Sequence, residues 1–300
     1  MSFKQFWELA EVYTLPLNIF LFLLGISYGH YHYSITLGWE LLICLIIIFL
    51  FHIAVNIFNN YMDFKNAKDD FDDYKMTTNI IGRDQLSLKL VLYLFLIFLL
   101  ASGILGAFLV IQTGWPVFVF GVIGFSVGIF YSAGPRPLNS LPIAETVTSL
   151  AIGFVIPLVS TYLATYQQSP LTLIDFGKVL LIALPTVISM FCCLLANNTC
   201  DLEQDIENGR HTLVYFIGKK RAVQLFKGLM LFVFIWTIIL AIFKLAPLSI
   251  LGLLLLFPLV WKNLQPYFKE QIKLKTFPKV IASFSLVIVC YSLLFFFGAW

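Results

Sequence analysis

The sequence predicts an all-α, polytopic membrane protein with nine transmembrane helices, on three observations. Apolar residues make up 60% of the 300-residue chain and charged residues 12%, against about half and about a quarter in a soluble domain. Nine apolar runs approach the roughly 20 residues that a helix needs to cross a bilayer. The basic residues fall almost entirely on alternate connections between those runs. So much apolar surface cannot be hidden in one soluble core, so the solvent for most of the chain is lipid. The runs are continuously apolar and do not alternate at period two, which argues against a β-barrel.

The runs lie near 13–31, 41–59, 88–111, 115–131, 143–162, 179–196, 222–243, 246–261 and 280–300. The first lacks an A-x-A cleavage site and reads as a span, with many more after it. Seventeen of the 19 Lys and Arg lie before run one or beside the connections after runs two, four, six and eight; only Lys178 and Lys244 lie on the other side. The positive-inside rule therefore predicts a cytoplasmic N-terminus and an outside C-terminus, in the plasma membrane. Residues 2–12 mix Phe3, Phe6, Trp7 and Leu9 with Lys4, Glu8 and Glu11, as a short interfacial helix does. The five Cys show no C-x-x-C spacing and are expected to be membrane-packed thiols. A single domain is expected over 1–300, with two related halves at about 1–140 and 141–300. Neither nucleic acid nor an obligate protein partner is indicated.

The 16 acidic residues are clustered. Five fall at Asp63, Asp69, Asp70, Asp72 and Asp73, and four at Asp201, Glu203, Asp205 and Glu207. Each cluster begins where an even-numbered span ends on the predicted cytoplasmic side, and the two share a pattern. Asn59-Asn60-Tyr-Met-Asp63 is matched by Asn197-Asn198-Thr-Cys-Asp201, and each set is followed by a Gly-Arg pair, Gly82-Arg83 and Gly209-Arg210. An internal duplication is a plausible origin. On a helix, Asn56, Asn59, Asn60 and Asp63 share one face at i, i+3, i+4 and i+7, and Asn197, Asp201 and Asp205 share one at i, i+4 and i+8. Two facing helices would then aim carboxylates and amides into one pocket near the cytoplasmic face. Hard oxygen ligands suit Mg²⁺, which keeps waters and bridges to phosphate oxygens. Diphosphate also attracts guanidinium groups, and Arg83, Arg210 and Arg136 lie on the same predicted side. Taken singly, either cluster reads equally well as a solvated helix end. Two matched sets reaching into apolar spans do not, since such groups are costly there without partners.

A third polar segment, Tyr131-Ser-Ala-Gly134-Pro135-Arg136-Pro137 and then Leu141-Pro142-Ile-Ala-Glu145, leaves span four on that side. Its prolines and glycine make a stiff loop, from which Tyr131 and Arg136 can reach the same pocket.

With these motifs in place the chain resembles the UbiA superfamily of intramembrane aromatic prenyltransferases. That family's first acidic motif is N-D-x-x-D followed by a further Asp, and its second is D-x-x-x-D, intact here as Asp201-Leu-Glu-Gln-Asp205. The likeness is strongest to 1,4-dihydroxy-2-naphthoate polyprenyltransferases, the MenA type. It rests on Asn197-Asn198, Gly209-Arg-His-Thr212-Leu213, the Tyr131–Pro137 run, the Gly82-Arg83 region and Thr14-Leu-Pro16. In three places the pattern departs: Asn60 stands where the family usually has its first Asp, Ala67 where a later Asp is common, with Asp69 two residues on, and Ala144 where a Gly is common.

The resemblance implies a nine-helix bundle around a central cavity. In it an allylic polyprenyl diphosphate ionises with Mg²⁺ as cofactor, and an electron-rich aromatic carbon captures the prenyl group. With dihydroxynaphthoate as acceptor, CO₂ is lost and demethylmenaquinone results. The resemblance puts Asn59, Asp63, Asp69, Asp201 and Asp205 on Mg²⁺ with Asn197 and Asn56 supporting, Arg83 and Arg210 on diphosphate with Asn59 and Asn197, and Tyr131 and Arg136 on the acceptor; Asp63, Asp201, Asp205 and Tyr131 are the expected catalytic residues. Burial in lipid would keep water from the cation. Two other readings stay open: a sister enzyme acting on 4-hydroxybenzoate, haem or a glycerol phosphate, and a cation-coupled transporter. Transporter sites usually lie near the midplane on broken helices, whereas these clusters sit at span ends.

Overall fold

The computed structural model describes residues 1–66 and 74–300. Among these the regular structure is helical throughout. The helices are α1 (Phe3–Leu9), α2 (Pro16–His32), α3 (Trp39–Asn66), α4 (Ile80–Arg83), α5 (Leu88–Thr113), α6 (Trp115–Ser132), α7 (Ala144–Leu150), α8 (Ile156–Thr165), α9 (Leu173–Cys200), α10 (Leu202–Glu207), α11 (Leu213–Ile242), α12 (Phe257–Lys269) and α13 (Phe277–Ala299). Among the described residues nine helical stretches are long and apolar enough to cross a membrane, each overlapping one predicted run. Large apolar side chains such as Leu100, Ile104 and Ile111 on α5, and Leu255, are left exposed, as lipid-facing residues are. The chain is a multi-pass membrane protein.

Helix ends differ from the hydropathy runs for local reasons. α9 starts at Leu173, before the predicted 179, because Thr172 and Asp175 form a reciprocal capping box. α11 starts at Leu213, before 222, because Lys219, Lys220 and Arg221 interrupt the apolar run after its first five residues. Gly218 (φ +75°) breaks that helix near its start, a conformation that favours glycine. α3 and α9 have 28 residues each, so each is about 42 Å long at 1.5 Å per residue. The hydrocarbon core is about 30 Å thick, so an upright helix of this length exceeds it by about two turns.

The chain divides into two compact units. The first comprises Met1–Asn18 and Trp39–Asn139, the second Ile19–Gly38 and Ser140–Trp300. In the first, the end of α3 packs with α1, α4 and α5 around Leu9, Ala54, Ile57, Ile81, Val91 and Phe95. α1 is capped by Ser2 and Gln5, buries Leu9 and leaves Phe3 and Trp7 exposed, matching the interfacial helix expected there. Further along α3, His52 hydrogen bonds with Thr14 Oγ1 at 2.8 Å and Asn18 Nδ2 at 2.9 Å. Thr14 donates in turn to the Glu11 carbonyl, so Thr14, Asn18 and His52 find polar partners within this unit.

In the second unit α9 is the central element, packed against α7, α8, α11 and α13. Small residues allow close crossings. Thr186 Oγ1 donates to the Gly153 carbonyl at 2.8 Å, and Thr161 Oγ1 donates to the Gly25 carbonyl at 2.9 Å. At Gly25 a Cβ would stand 2.1 Å from the Pro157 carbonyl oxygen, so α2 and α8 approach at backbone distance. Gly25→Ala is expected to destabilise the protein by roughly 1–3 kcal/mol through forced separation of that crossing, seen as a lower thermal midpoint in detergent. Gly103→Ala, where nothing lies within 4 Å of the added carbon, should leave the midpoint unchanged or slightly raised.

Candidate active site

The first acidic motif sits on the projecting end of α3, and packing divides its amides by role. Asn59 Oδ1 accepts a hydrogen bond from Ser132 Oγ at 2.8 Å, so it faces the end of α6, where Tyr131 precedes Ser132. Asn56 Nδ2 donates to the Ala10 carbonyl at 3.1 Å. Asn60 Nδ2 donates to the carbonyls of Leu9 and Asn56, both at 3.2 Å. Asn56 and Asn60 therefore tie α3 to the C-terminus of α1, whose last carbonyls lack helical partners. This gives a physical reason for Asn60. An aspartate has no donor and would set a negative charge against two carbonyl oxygens. Asp63 lies one turn beyond Asn59 and is half-buried. Asp69, expected as a further ligand, lies outside the described residues, as do Ala67, Asp70, Asp72 and Asp73.

The chain after the described gap returns to brace this end. Asn79, almost fully buried, accepts from the Ile81 N–H at 2.9 Å to cap α4, and donates to the Asn60 carbonyl at 3.0 Å. At Gly82 a Cβ would meet the Lys75 carbonyl oxygen at 1.9 Å, so the Gly of the Gly82-Arg83 pair is required by close backbone approach. Arg83 directs its guanidinium to Glu8 at 2.8 Å and Asp84 at 2.9 Å. These hydrogen bonds, Glu8 first, raise its pKa above the ordinary arginine value, and Asp84 is held below the usual carboxylate range by Arg83. Tyr131 is half-buried in the last turn of α6, and Arg136 is exposed on a loop that turns at Gly134 (φ +103°).

The second motif straddles a helix junction. The spacing predicts one continuous face through Asn197, Asp201 and Asp205, whereas α9 stops at Cys200 and Asp201 (φ −96°, ψ 5°) joins it to α10. Hydrogen bonds from the Asp201 N–H to the Asn197 carbonyl and from the Asp205 N–H to the Asp201 carbonyl keep the i, i+4 spacing across the bend. Asp205 is almost fully buried, and Arg210 Nη1 lies 3.8 Å from its carboxylate. The loop after α10 is fixed by a hydrogen bond from the His211 N–H to the Ser140 carbonyl at 3.1 Å. Glu203 pairs with Lys219 at 2.7 Å, which holds its carboxyl below the usual range.

Two residues that sequence reasoning left out of this motif are decisive here. Lys273, in the connection between α12 and α13, places its ammonium on Asp201 Oδ2 and, at 2.5 Å, on Asn197 Oδ1. Glu145, fully buried at the start of α7, accepts from Asn198 Nδ2 at 2.8 Å, which separates Asn198 from its neighbour Asn197. The Leu141–Glu145 run pointed to this region; nothing in the local pattern of residues 270–276 sets Lys273 apart from the other basic residues on that side.

Asn60→Asp, which restores the residue usual in the resembled family, is expected to cost roughly 1–3 kcal/mol through lost donors and buried oxygen–oxygen repulsion. A lowered thermal midpoint together with faster protease cleavage of the N-terminal helix would register it.

The model of the UbiA prenyltransferase family matches residues 18–277. A 1,4-dihydroxy-2-naphthoate octaprenyltransferase of Bacillus subtilis (strain 168) is 28% identical over 235 residues, covering 77% of this chain and 72% of that one. A protein of the same name from Haemophilus influenzae is 24% identical over 222 residues, covering 72% and 70%. Among solved structures, one of digeranylgeranylglyceryl phosphate synthase superposes with a TM-score of 0.66 at 17% identity, covering 99% of this chain and 98% of that one. A UbiA homolog from Archaeoglobus fulgidus bound to GPP and Mg²⁺ gives 0.60 at 14% identity, covering 97% and 99%. At these identities the structures speak for a shared fold, and the family match, which takes in both acidic motifs, speaks for descent: this chain belongs to the UbiA prenyltransferase family.

Proposed function

We propose that this chain transfers a polyprenyl group from an allylic polyprenyl diphosphate to 1,4-dihydroxy-2-naphthoate. The diphosphate C–O bond breaks, a bond forms to the ring carbon that bears the carboxylate, and CO₂ leaves. The product is the quinol form of demethylmenaquinone. The observation that carries this reading is the second motif, where Asn197 Oδ1 and Asp201 Oδ2 converge on a single cationic nitrogen at the end of a membrane-spanning helix. The names of the two relatives favour the naphthoate acceptor over other aromatic acids.

These donors fit Mg²⁺. They are hard oxygens, and they already gather around one positive charge. Among the described residues no three His, Cys, Asp or Glu side chains form a metal cage, and Mg²⁺ does not require one, since it binds through one or two carboxylates, waters and substrate phosphates. Asn59, Asp63 and Asp69 would serve the first motif, and Asn197, Asp201 and Asp205 the second. Bound Mg²⁺ supplies neutralisation of charge building on the departing diphosphate. The chain's own residues do the rest. Arg210, oriented by Asp205, offers guanidinium donors to phosphate oxygens, and Arg83 would add those donors that Glu8 and Asp84 do not take. Tyr131, one residue before the Ser132 that holds Asn59, and Arg136 orient the acceptor, whose carboxylate suits an arginine. The lipid-embedded helices exclude water that would quench the allylic cation.

By the charge distribution the N-terminus is cytoplasmic, the C-terminus outside and the site near the inner face of the plasma membrane. A C-terminal alkaline phosphatase fusion should be active and a C-terminal fluorescent-protein fusion dark. The reverse pattern would overturn this orientation.

Purified protein in nanodiscs, given Mg²⁺, one labelled prenyl diphosphate and a panel of acceptors, tests the activity. Label should pass to dihydroxynaphthoate with release of CO₂, stop on chelation and return with added Mg²⁺. Asp63→Ala and Asp201→Ala should each lower turnover by about 100-fold or more, as loss of preorganised transition-state electrostatics does. Transfer to 4-hydroxybenzoate or a glycerol phosphate alone would move the assignment to a sister activity. Normal turnover in either variant would remove the acidic motifs from the mechanism.

A further inference from the structure

Lys273 is one of several basic residues near the span ends, and it sits directly against the second motif. Its ammonium sits on two of the oxygens that the second motif would offer to a metal, Asn197 Oδ1 and Asp201 Oδ2. The connection carrying it is built to present it. Thr276, almost fully buried, accepts from the Ile272 N–H at 2.9 Å and donates to the Ile272 carbonyl at 3.0 Å. Gln271 donates to the carbonyl of fully buried Tyr267 at 2.7 Å. The base of the loop is thereby fixed, and the lysine stem leaves it over the Phe277 ring, with Nζ 4.8 Å from the ring centre.

We propose that Lys273 is the exchangeable counter-cation of the second acidic motif, holding Asn197 and Asp201 before substrate arrives and moving onto the diphosphate when the metal takes its place. The inference rests on the reading of Asp201 as a ligand of metal-bound diphosphate. Three physical arguments support it. A carboxylate at the end of a membrane span is costly without a positive partner, and the ammonium supplies one in the absence of metal. A lysine ammonium is a point charge on a flexible four-carbon stem and can let go, whereas an arginine fork grips a carboxylate in a fixed geometry. A divalent ion and an ammonium repel when they share the same two oxygens, so they compete. The diphosphate that accompanies the metal carries enough negative charge to receive the displaced ammonium. Metal alone would then bind weakly, and metal with diphosphate tightly, so that the site loads both together.

The test uses Mn²⁺ as a paramagnetic stand-in, titrated against full-length protein in nanodiscs and read by loss of the free Mn²⁺ electron-paramagnetic-resonance signal, with no turnover involved. Lys273→Met should bind Mn²⁺ about fivefold more tightly than the unmodified chain, the gain expected from removing one partly exposed competing charge. With inorganic pyrophosphate present the order should invert, Lys273→Met binding the ion more weakly. Lys273→Arg keeps a competing charge and should stay near the unmodified chain without pyrophosphate. Lys273→Gln, carried in parallel, guards against a folding defect peculiar to methionine. Equal Mn²⁺ affinity in the unmodified, Met and Gln proteins, or the same order with and without pyrophosphate, would overturn the exchange. Adding Asp201→Asn separates the two readings. If it lowers Mn²⁺ affinity while the Lys273 variants change nothing, only the exchange is lost. If it has no effect on Mn²⁺ binding, the metal-ligand reading of Asp201 falls, and the exchange with it.

Discussion

α3 and α9 are both longer than the hydrocarbon they cross, and the polar chemistry of the molecule follows from that surplus. A helix that matched the bilayer would end in the apolar run and hand over at once to a solvated loop. Here about two extra turns carry amides and carboxylates on helical backbone whose own hydrogen bonds are satisfied. Helical spacing then sets these groups at fixed intervals, as a multivalent ion and its phosphate ligand require. The same groups would be costly left unpaired near lipid, so each unit has to supply partners for its own polar helix end.

The two units meet that demand differently. On α3 the amides have neutral partners: the carbonyls at the end of α1 take Asn56 and Asn60, Ser132 takes Asn59, and Asn79 clamps the backbone at Asn60. The N-terminal helix is thus part of the support for the first motif, and its departure from the usual N-D-x-x-D pattern has a structural cause. On α9 the partners are charged. Lys273 sits on Asp201, Arg210 lies beside Asp205, and fully buried Glu145 holds Asn198.

This contrast bears on how an ionisation could be confined to the moment when substrate is bound. Salt bridges near a low-dielectric boundary are strong enough to organise side chains and weak enough to be replaced when a more highly charged partner arrives. Rigid helix crossings at Gly25 and Gly153, where backbones meet without intervening side chains, give the second unit a stiff frame. The charged partners of its acidic motif, Lys273 and Arg210, come from the connections at the helix ends.

The nine spans, the short interfacial helix and both acidic motifs were legible in the sequence, because hydropathy and helical periodicity are local properties that survive whatever the helices pack against. Only the tertiary structure decided what each polar side chain does. Asn59 and Asn60 are adjacent in sequence, yet one faces α6 and the other α1, since neighbours on a helix point about 100° apart. Asn197 and Asn198 part in the same way, one to Lys273 and the other to Glu145. Lys273 lies more than seventy positions from the oxygens it holds, and no local pattern encodes such a pairing. It arises when the connection between α12 and α13 folds back over the end of α9, and packing sets that fold.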